Sequence, residues 1–222
     1  MHLSSSTQPT DLDVVRDSYD RVADNYVNLI ATRGVGDIRT QPWLKAAIDA
    51  FAGSVRDLGP VLDVGCGPGT VTAYLHECGV EVSGVDLSPR MIQHAERLHP
   101  ECSFAIASAT ELDLEPRSLG GILGWWSLFN LPREILPNVL AAFHDALVPG
   151  GQVIIATHAG DDDAARTEAY GGVAVTWTTY QWRPEQLTVL LEDAALRVLA
   201  ELQLSAEGQQ GPAVVLVARR DT

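Results

Sequence analysis

The stretch Val61-Leu62-Asp63-Val64-Gly65-Cys66-Gly67-Pro68-Gly69 constrains this chain more than any other. A short apolar run bounded by turn residues marks a buried strand. Here it flows through glycines straight into residues 70–78, which read as a helix. Glycine at such a bend lets the backbone turn sharply and approach a ligand with no Cβ in the way. A buried strand needs neighbours, and the sequence supplies them at helix-separated intervals. Residues 80–85, 102–107, 119–126 and 152–157 read as strands, with helices over 89–98 and 133–147 and a tight turn at Pro149-Gly150-Gly151. A helix over 184–194 then leads to strands over 196–204 and 213–218, close enough in sequence to form a hairpin. Alternating strands and helices imply crossover connections. The expected fold is therefore α/β, an open and mainly parallel sheet with helices on both faces and an antiparallel last strand.

Upstream, Val14, Val15, Tyr19, Val22, Tyr26, Leu29 and Ile30 recur at helical spacing until Gly34 and Gly36. A second helix is expected over 42–55, with Trp43, Leu44, Ala47, Ile48 and Phe51 on one side. Residues 1–10 are small and polar and read as a flexible leader. Residues 11–222 read as one domain, with a helical cap over 11–58 and a lid insertion over 158–183. A chain of 222 residues, 46% of them apolar, is long enough for one sizeable core.

Composition narrows the partners. Fifteen Lys and Arg stand against 29 Asp and Glu, a formal charge of -14. An acidic surface repels phosphate backbones, so nucleic acid and anionic membranes are not expected partners. A small neutral or cationic substrate fits that balance, although acidity also simply favours solubility. Cys66, Cys78 and Cys102 are scattered and show neither a metal-ligand spacing nor a disulfide framework. No signal peptide is visible, and no apolar run approaches the roughly 20 residues that span a bilayer. A cytoplasmic monomer or homodimer is expected.

In an open parallel sheet, ligands bind at the carboxyl ends of the strands. Asp86 ends the second strand inside Gly84-Val85-Asp86-Leu87-Ser88, where a carboxylate can accept both hydroxyls of a ribose. Ser88, before Pro89, is the better N-cap for the next helix. A dinucleotide fingerprint needs a third glycine where Thr70 stands, and Pro68 removes an amide donor near where a diphosphate would sit. The loop suits a nucleoside cofactor with no phosphate to cradle, such as S-adenosyl-L-methionine (SAM).

The two segments, Val61 to Gly69 and Gly84-Val85-Asp86-Leu87-Ser88-Pro89-Arg90-Met91, resemble the first two motifs of the class I SAM-dependent methyltransferases, in their small-molecule branch. The resemblance implies a seven-stranded sheet, with SAM as cofactor and S-adenosyl-L-homocysteine (SAH) as product. It places Asp63, Gly65, Cys66 and Gly67 in the cofactor loop, Asp86 on the ribose, and Leu87 and Met91 beside the adenine. After the third strand, where relatives commonly carry Gly-Asp-Ala, this chain has Ala107-Ser108-Ala109-Thr110. Ser108, Ala109 and Thr110 are then the expected adenine neighbours, with a hydroxyl or carbonyl in place of the carboxylate. Ser18-Tyr19-Asp20-Arg21-Val22-Ala23-Asp24-Asn25-Tyr26 is similar to the family's cap helix, so Tyr19 and Tyr26, on one face, are expected at the cofactor.

Further candidates lie toward the substrate. Adjacent strand residues point to opposite faces, so one of Trp125 and Trp126 should face the cofactor, where a sulfonium gains from an aromatic face. Asn130 stands where many relatives have His, so a histidine base is excluded there. His158, ending the fifth strand, is the candidate general base. Arg39, Asn130, Tyr170, Trp177 and Tyr180 are the candidate substrate contacts, the last three from the aromatic insertion. Asp161-Asp162-Asp163 reads as a solvated turn, and no metal is expected. The alternatives are a SAM-binding protein without transferase activity and an NAD-dependent oxidoreductase, the latter disfavoured by Thr70 and Pro68.

Overall fold

The computed structural model describes residues 10–34, 36–206 and 211–221. The expected leader lies outside them except for Thr10, which begins helix α1 (Thr10–Arg33). Gly34 and Gly36, at φ +65° and +73°, break that helix. Asp37 then caps a single 3-10 turn by accepting from the Arg39 amide at 2.9 Å, and Pro42 opens α2 (Pro42–Val55). The buried face of α2 is Leu44, Ile48, Phe51, Ala52 and Val55. Trp43, expected beside them, is 68% exposed. One residue of an α-helix turns the side chain by about 100°, which carries Trp43 off the face that Leu44 buries.

Strands and helices then alternate: β1 (Val61–Val64), α3 (Thr70–Glu77), β2 (Val82–Asp86), α4 (Pro89–Leu98), β3 (Ser103–Ile106), β4 (Leu119–Trp125), α5 (Leu136–Ala146) and β5 (Leu147–His158). After a hairpin of β6 (Ala164–Ala169) and β7 (Val173–Thr179) come α6 (Pro184–Asp193), β8 (Leu196–Leu204) and β9 (Ala213–Arg220). The main sheet has seven strands in the order β3-β2-β1-β4-β5-β9-β8. β9 pairs antiparallel with both β5 and β8, and the other neighbouring strands of the sheet pair parallel. The fold is the expected α/β sheet with an antiparallel last strand.

Alternation along the strands splits the core in two. Ile122, Val153 and Ile155 pack with Leu140, Phe143 and Leu187 of α5 and α6. Leu123 and Ile154, one residue along, pack with Ile48, Phe51 and Leu75 of α2 and α3 on the other face. The turn expected at Pro149-Gly150-Gly151 lies inside β5 instead. There the register jumps from Leu119 opposite Leu147 to Gly121 opposite Gln152, with Gly150 at φ +85°. Paired backbone flanks the glycines, so they form a bulge within the strand.

Strand order reverses between β1 and β4, which opens a crevice at their carboxyl ends. Two pieces roof it. Helix α1 is one; the β6–β7 ribbon, reversing through Tyr170-Gly171-Gly172 with positive φ at all three residues, is the other. They are clamped together. Ser18 donates to the Thr176 carbonyl and accepts from its amide at 3.3 and 3.0 Å, and Arg21 and Asn25 donate to the Ala174 and Tyr170 carbonyls.

Candidate active site

The glycine loop sits at the reversal point. Gly65, Gly67 and Gly69 adopt φ of +75°, +54° and +79°, which side chains other than glycine rarely take. A Cβ on Gly65 would overlap Ser127, whose hydroxyl donates to the Val64 carbonyl at 2.5 Å. The Gly65 and Cys66 amides both donate to the Val85 carbonyl, at 2.7 and 3.0 Å, and so fasten the loop to β2. Asp86, at the end of that strand, accepts from the Gly67 amide on one oxygen and the Ser88 amide on the other, both at 2.8 Å. Burial raises its pKa to about 6, against the opposing pull of those two amides. A carboxylate offers about four acceptor positions, so two amides leave Asp86 able to receive hydroxyl donors from the cavity it lines. Ser88 caps α4 by accepting from the Met91 amide at 3.1 Å.

That cavity has a volume of about 560 Å³ and runs across the strand ends under α1 and the ribbon. Along the glycine loop, β2 and β3 its wall includes Gly65, Cys66 and Gly67, then Asp86, Leu87 and Met91, then Ser108 and Ala109. Tyr19, Tyr26 and Tyr170 enter from the roof, and Trp125, Trp126, Asn130 and His158 from the sheet side. Both tryptophans reach the wall, although strict alternation would send them apart. Trp126 has φ +54°, so the extended backbone ends at Trp125 and the alternation ends with it.

Five expected site residues lie off the wall, each with another task. Asp63 is buried beneath the loop, where Thr72 donates to one of its oxygens at 2.6 Å. Its other oxygen has no hydrogen-bond partner among the described residues, and burial raises its pKa to about 7. Thr110 hydrogen-bonds the Ser108 hydroxyl at 2.9 Å. Arg39 pairs with Glu77 at 2.5 Å and lies over the Tyr74 ring, joining the cap to α3. Trp177 is stacked on Tyr19 with centroids 4.7 Å apart and is buried between roof elements. Tyr180 donates its amide to the Phe129 carbonyl at 2.8 Å. An alternating strand exposes only every second residue to the cavity, so aromatic content alone did not reveal which of these faces inward.

Asn130 lines the cavity and also knots three elements. Its carbonyl accepts from the Tyr19 hydroxyl at 2.9 Å, and its amide donates to the Thr178 carbonyl at 3.2 Å. His158 stands in an aromatic box, 5.0 Å from Trp126 and 4.9 Å from Phe129 between ring centroids. Burial lowers its pKa, and the charge of Arg166 lowers it further. Its imidazole is therefore neutral near pH 7.

The sequence reading missed several wall residues: Ser127, Phe129, Arg166, Gln181 and Ser205. It also missed the tie between α1 and α4. Asp20 accepts from the Ser88 hydroxyl and from the Arg90 amide, and Asp24 pairs with Arg90 at 2.9 Å and His94 at 2.6 Å. Their spacing on α1 was the available signal, since Asp20 and Asp24 share one helix face. The Asp161-Asp162-Asp163 run supplies partners for Arg183 at 3.4 Å and Arg133 at 2.5 Å. No group of three or more His, Cys, Asp or Glu able to hold a metal ion occurs among the described residues. None of the described helices is long and apolar enough to cross a membrane.

Comparison with known proteins gives three findings. Residues 61–151 match a family model described as a methyltransferase domain. The chain is 30% identical over 148 residues to a demethylmenaquinone methyltransferase of Paenarthrobacter aurescens, covering 65% of this chain and 54% of that one. It is 39% identical over 92 residues to a trans-aconitate 2-methyltransferase of Escherichia coli, covering 40% and 36%. The match thus spans about half or less of these relatives' own lengths. Among solved structures, magnesium protoporphyrin IX methyltransferase of Synechocystis with bound SAM superposes with a TM-score of 0.73 at 16% identity. That superposition covers 98% of this chain and 100% of the other.

Proposed function

We propose that the chain, which carries a methyltransferase domain at residues 61–151, is a class I SAM-dependent methyltransferase that moves the methyl group of SAM to an oxygen, nitrogen or sulfur atom of a small metabolite. Relatives named for demethylmenaquinone and trans-aconitate support a small-molecule acceptor. One observation carries the cofactor assignment: the Asp86 carboxylate is fixed by the Gly67 and Ser88 amides at the cavity wall, with acceptor capacity to spare. The residues present fit an adenosyl group. Asp86 would hold the ribose hydroxyls, Leu87 and Met91 would flank the adenine, and Ser108 and Ala109 would border its edge. Tyr26 closes over the Gly67 loop, its ring 4.0 Å from where a Gly67 Cβ would stand.

When bound, SAM supplies an electrophilic methyl on a positively charged sulfur. The protein's part is alignment, exclusion of water and management of one proton. The α1 and β6–β7 roof excludes water, while Trp126 and Phe129 give the acceptor a flat apolar seat. A neutral His158, its pKa held below the usual imidazole value, accepts the proton that the acceptor atom loses.

Titration calorimetry tests this reading. SAH is expected to bind and NAD not to bind. Asp86→Ala removes two charge-assisted hydrogen bonds of about 1.5–3 kcal/mol each, weakening SAH on the order of a hundredfold or more. Wild-type affinity should also fall as pH drops through about 6, because protonating Asp86 removes acceptor capacity. Unchanged SAH affinity in Asp86→Ala would sink the cofactor assignment. A metabolite screen reading SAH release separates a transferase from a protein that only binds SAM.

A further inference from the structure

The chain's overall acidity favours a neutral or cationic acceptor, but the acceptor side of the cavity has the opposite local character. Among the described residues Arg166 is the only Lys or Arg in the cavity wall, and it forms no hydrogen bond or ion pair with any of them. Arg33, Arg56 and Arg117 are likewise without a side-chain hydrogen bond or ion pair among the described residues, but of these four only Arg166 lines the cavity. Two other arginines around the insertion are satisfied: Arg133 by Asp163 and Arg183 by Asp161. Arg166 stands directly opposite Trp177 in the β6–β7 ribbon. Residues directly opposite in an antiparallel pair share a face, so Arg166 lies on the side where Trp177 stacks on Tyr19, the side toward α1 and the cavity. Gln181 also lines the wall, and its side-chain amide likewise makes no hydrogen bond to a described residue. Gly160 makes room for that amide, since a Cβ there would overlap it.

We propose that the methyl acceptor is a flat molecule bearing a carboxylate, and that Arg166, helped by Gln181, holds this carboxylate at the ribbon side of the cavity. The inference rests on the methyl-transfer reading and names its substrate class. A guanidinium presents paired N–H donors in the geometry of a carboxylate. Asp86, the one acidic side chain in the wall among the described residues, belongs to the donor side and repels such a group toward Arg166. The carboxylate is the anchor and not the methylated atom, because pairing with a guanidinium withdraws the electron density a nucleophile needs. Trp126, Phe129 and Tyr170 then receive the flat body, leaving another heteroatom facing His158. Arg166 is thus a specificity-determining residue.

The donor's own amino-acid carboxylate is a second possible source of the same chemistry, and the experiment separates the two. SAH-loaded full-length protein is titrated with cinnamate and with its neutral counterpart cinnamamide at about pH 7, and SAH affinity is measured independently. The acid should bind roughly tenfold tighter than the amide, about 1.4 kcal/mol. Arg166→Gln should erase that preference and leave SAH affinity within about twofold, while Arg166→Lys should restore part of it. Because Arg166 is exposed and unpaired among the described residues, a thermal melt should show both variants folded. Equal binding of acid and amide, binding of neither, or a preference that survives in Arg166→Gln overturns the proposal. So does loss of SAH affinity in Arg166→Gln, which would assign the arginine to the donor. Failure of the wild type to bind SAH at all instead overturns the methyl-transfer reading.

Discussion

The side of the cavity that we assign to the methyl donor is made where two strands pair in register, Val64 opposite Val85, and most of its hydrogen bonds involve backbone amides. The acceptor side gathers Phe129 and Asn130 from the segment after β4, His158 from the end of β5, Arg166 and Tyr170 from the ribbon, and Ser205 from beyond β8. Backbone recognition needs only glycines and one fixed carboxylate, so it can serve one cofactor whatever the acceptor. Side chains brought from distant segments can each be exchanged without disturbing the sheet. The two sides should therefore fail independently when mutated.

The largest effect that tests this independence comes from His158. With an acceptor found by screening, His158→Gln should lower kcat roughly 100-fold if the imidazole acts as base. SAH affinity should stay within about twofold. The pH profile distinguishes proton transfer from mere packing. With SAM saturating, so that Asp86 no longer limits binding, wild-type kcat/KM for the acceptor should rise with pH through the lowered His158 pKa, below 6.5, and then level, because only the neutral ring accepts a proton. The variant should lose that limb. A kcat unchanged in His158→Gln removes the base and leaves alignment as the protein's whole contribution.

A smaller effect is expected where the two sides meet. Asn130 ties Tyr19 of the cap to Thr178 of the ribbon. Asn130→Ala leaves a buried hydroxyl and a carbonyl without partners, which costs about 1–3 kcal/mol and should lower Tm by roughly 2–10 °C for a chain of this size. If the sides are separable, acceptor KM should rise more than SAH Kd. Equal loss of both would mean that the roof, through Asn130, serves donor and acceptor alike.

This contrast also explains what was legible in the sequence. Strand β1, the glycine loop and Asp86 are contiguous, and their chemistry follows from local rules: glycine for positive φ, Ser88 for a cap, Pro89 at a helix start. Helix α4 was expected over the very residues it occupies, because Ser88 and Pro89 fix its beginning. Arg166 had no local signal. Its meaning depends on a ribbon register that sets it opposite Trp177, and on acidic neighbours being taken by Arg133 and Arg183. Trp177 had the opposite difficulty: an aromatic residue in an insertion looks like a substrate contact, and its stacking on Tyr19 away from the wall follows only from the fold. Trp126 escaped alternation because the strand ends one residue before it.

Asp63 carries the smallest expected effect and tests whether the donor side holds a structural group that its ligand never touches. Folded, its pKa is raised to about 7 by burial, while an unfolded chain titrates it near the ordinary value of 3.8. Between those values the folded state binds the extra proton, so stability contributed by this group is full below about pH 4 and declines as pH rises toward 7. Asp63→Asn keeps an acceptor for the Thr72 hydroxyl and removes the buried charge. The apo variant should therefore gain Tm relative to wild type more at about pH 8 than at about pH 5, flattening the decline. SAH affinity at about pH 7 should change by only about twofold, since Asp63 lies beneath the loop and not in the cavity wall. A large loss of affinity with an unchanged pH profile would move Asp63 from bracing the loop to contacting the cofactor.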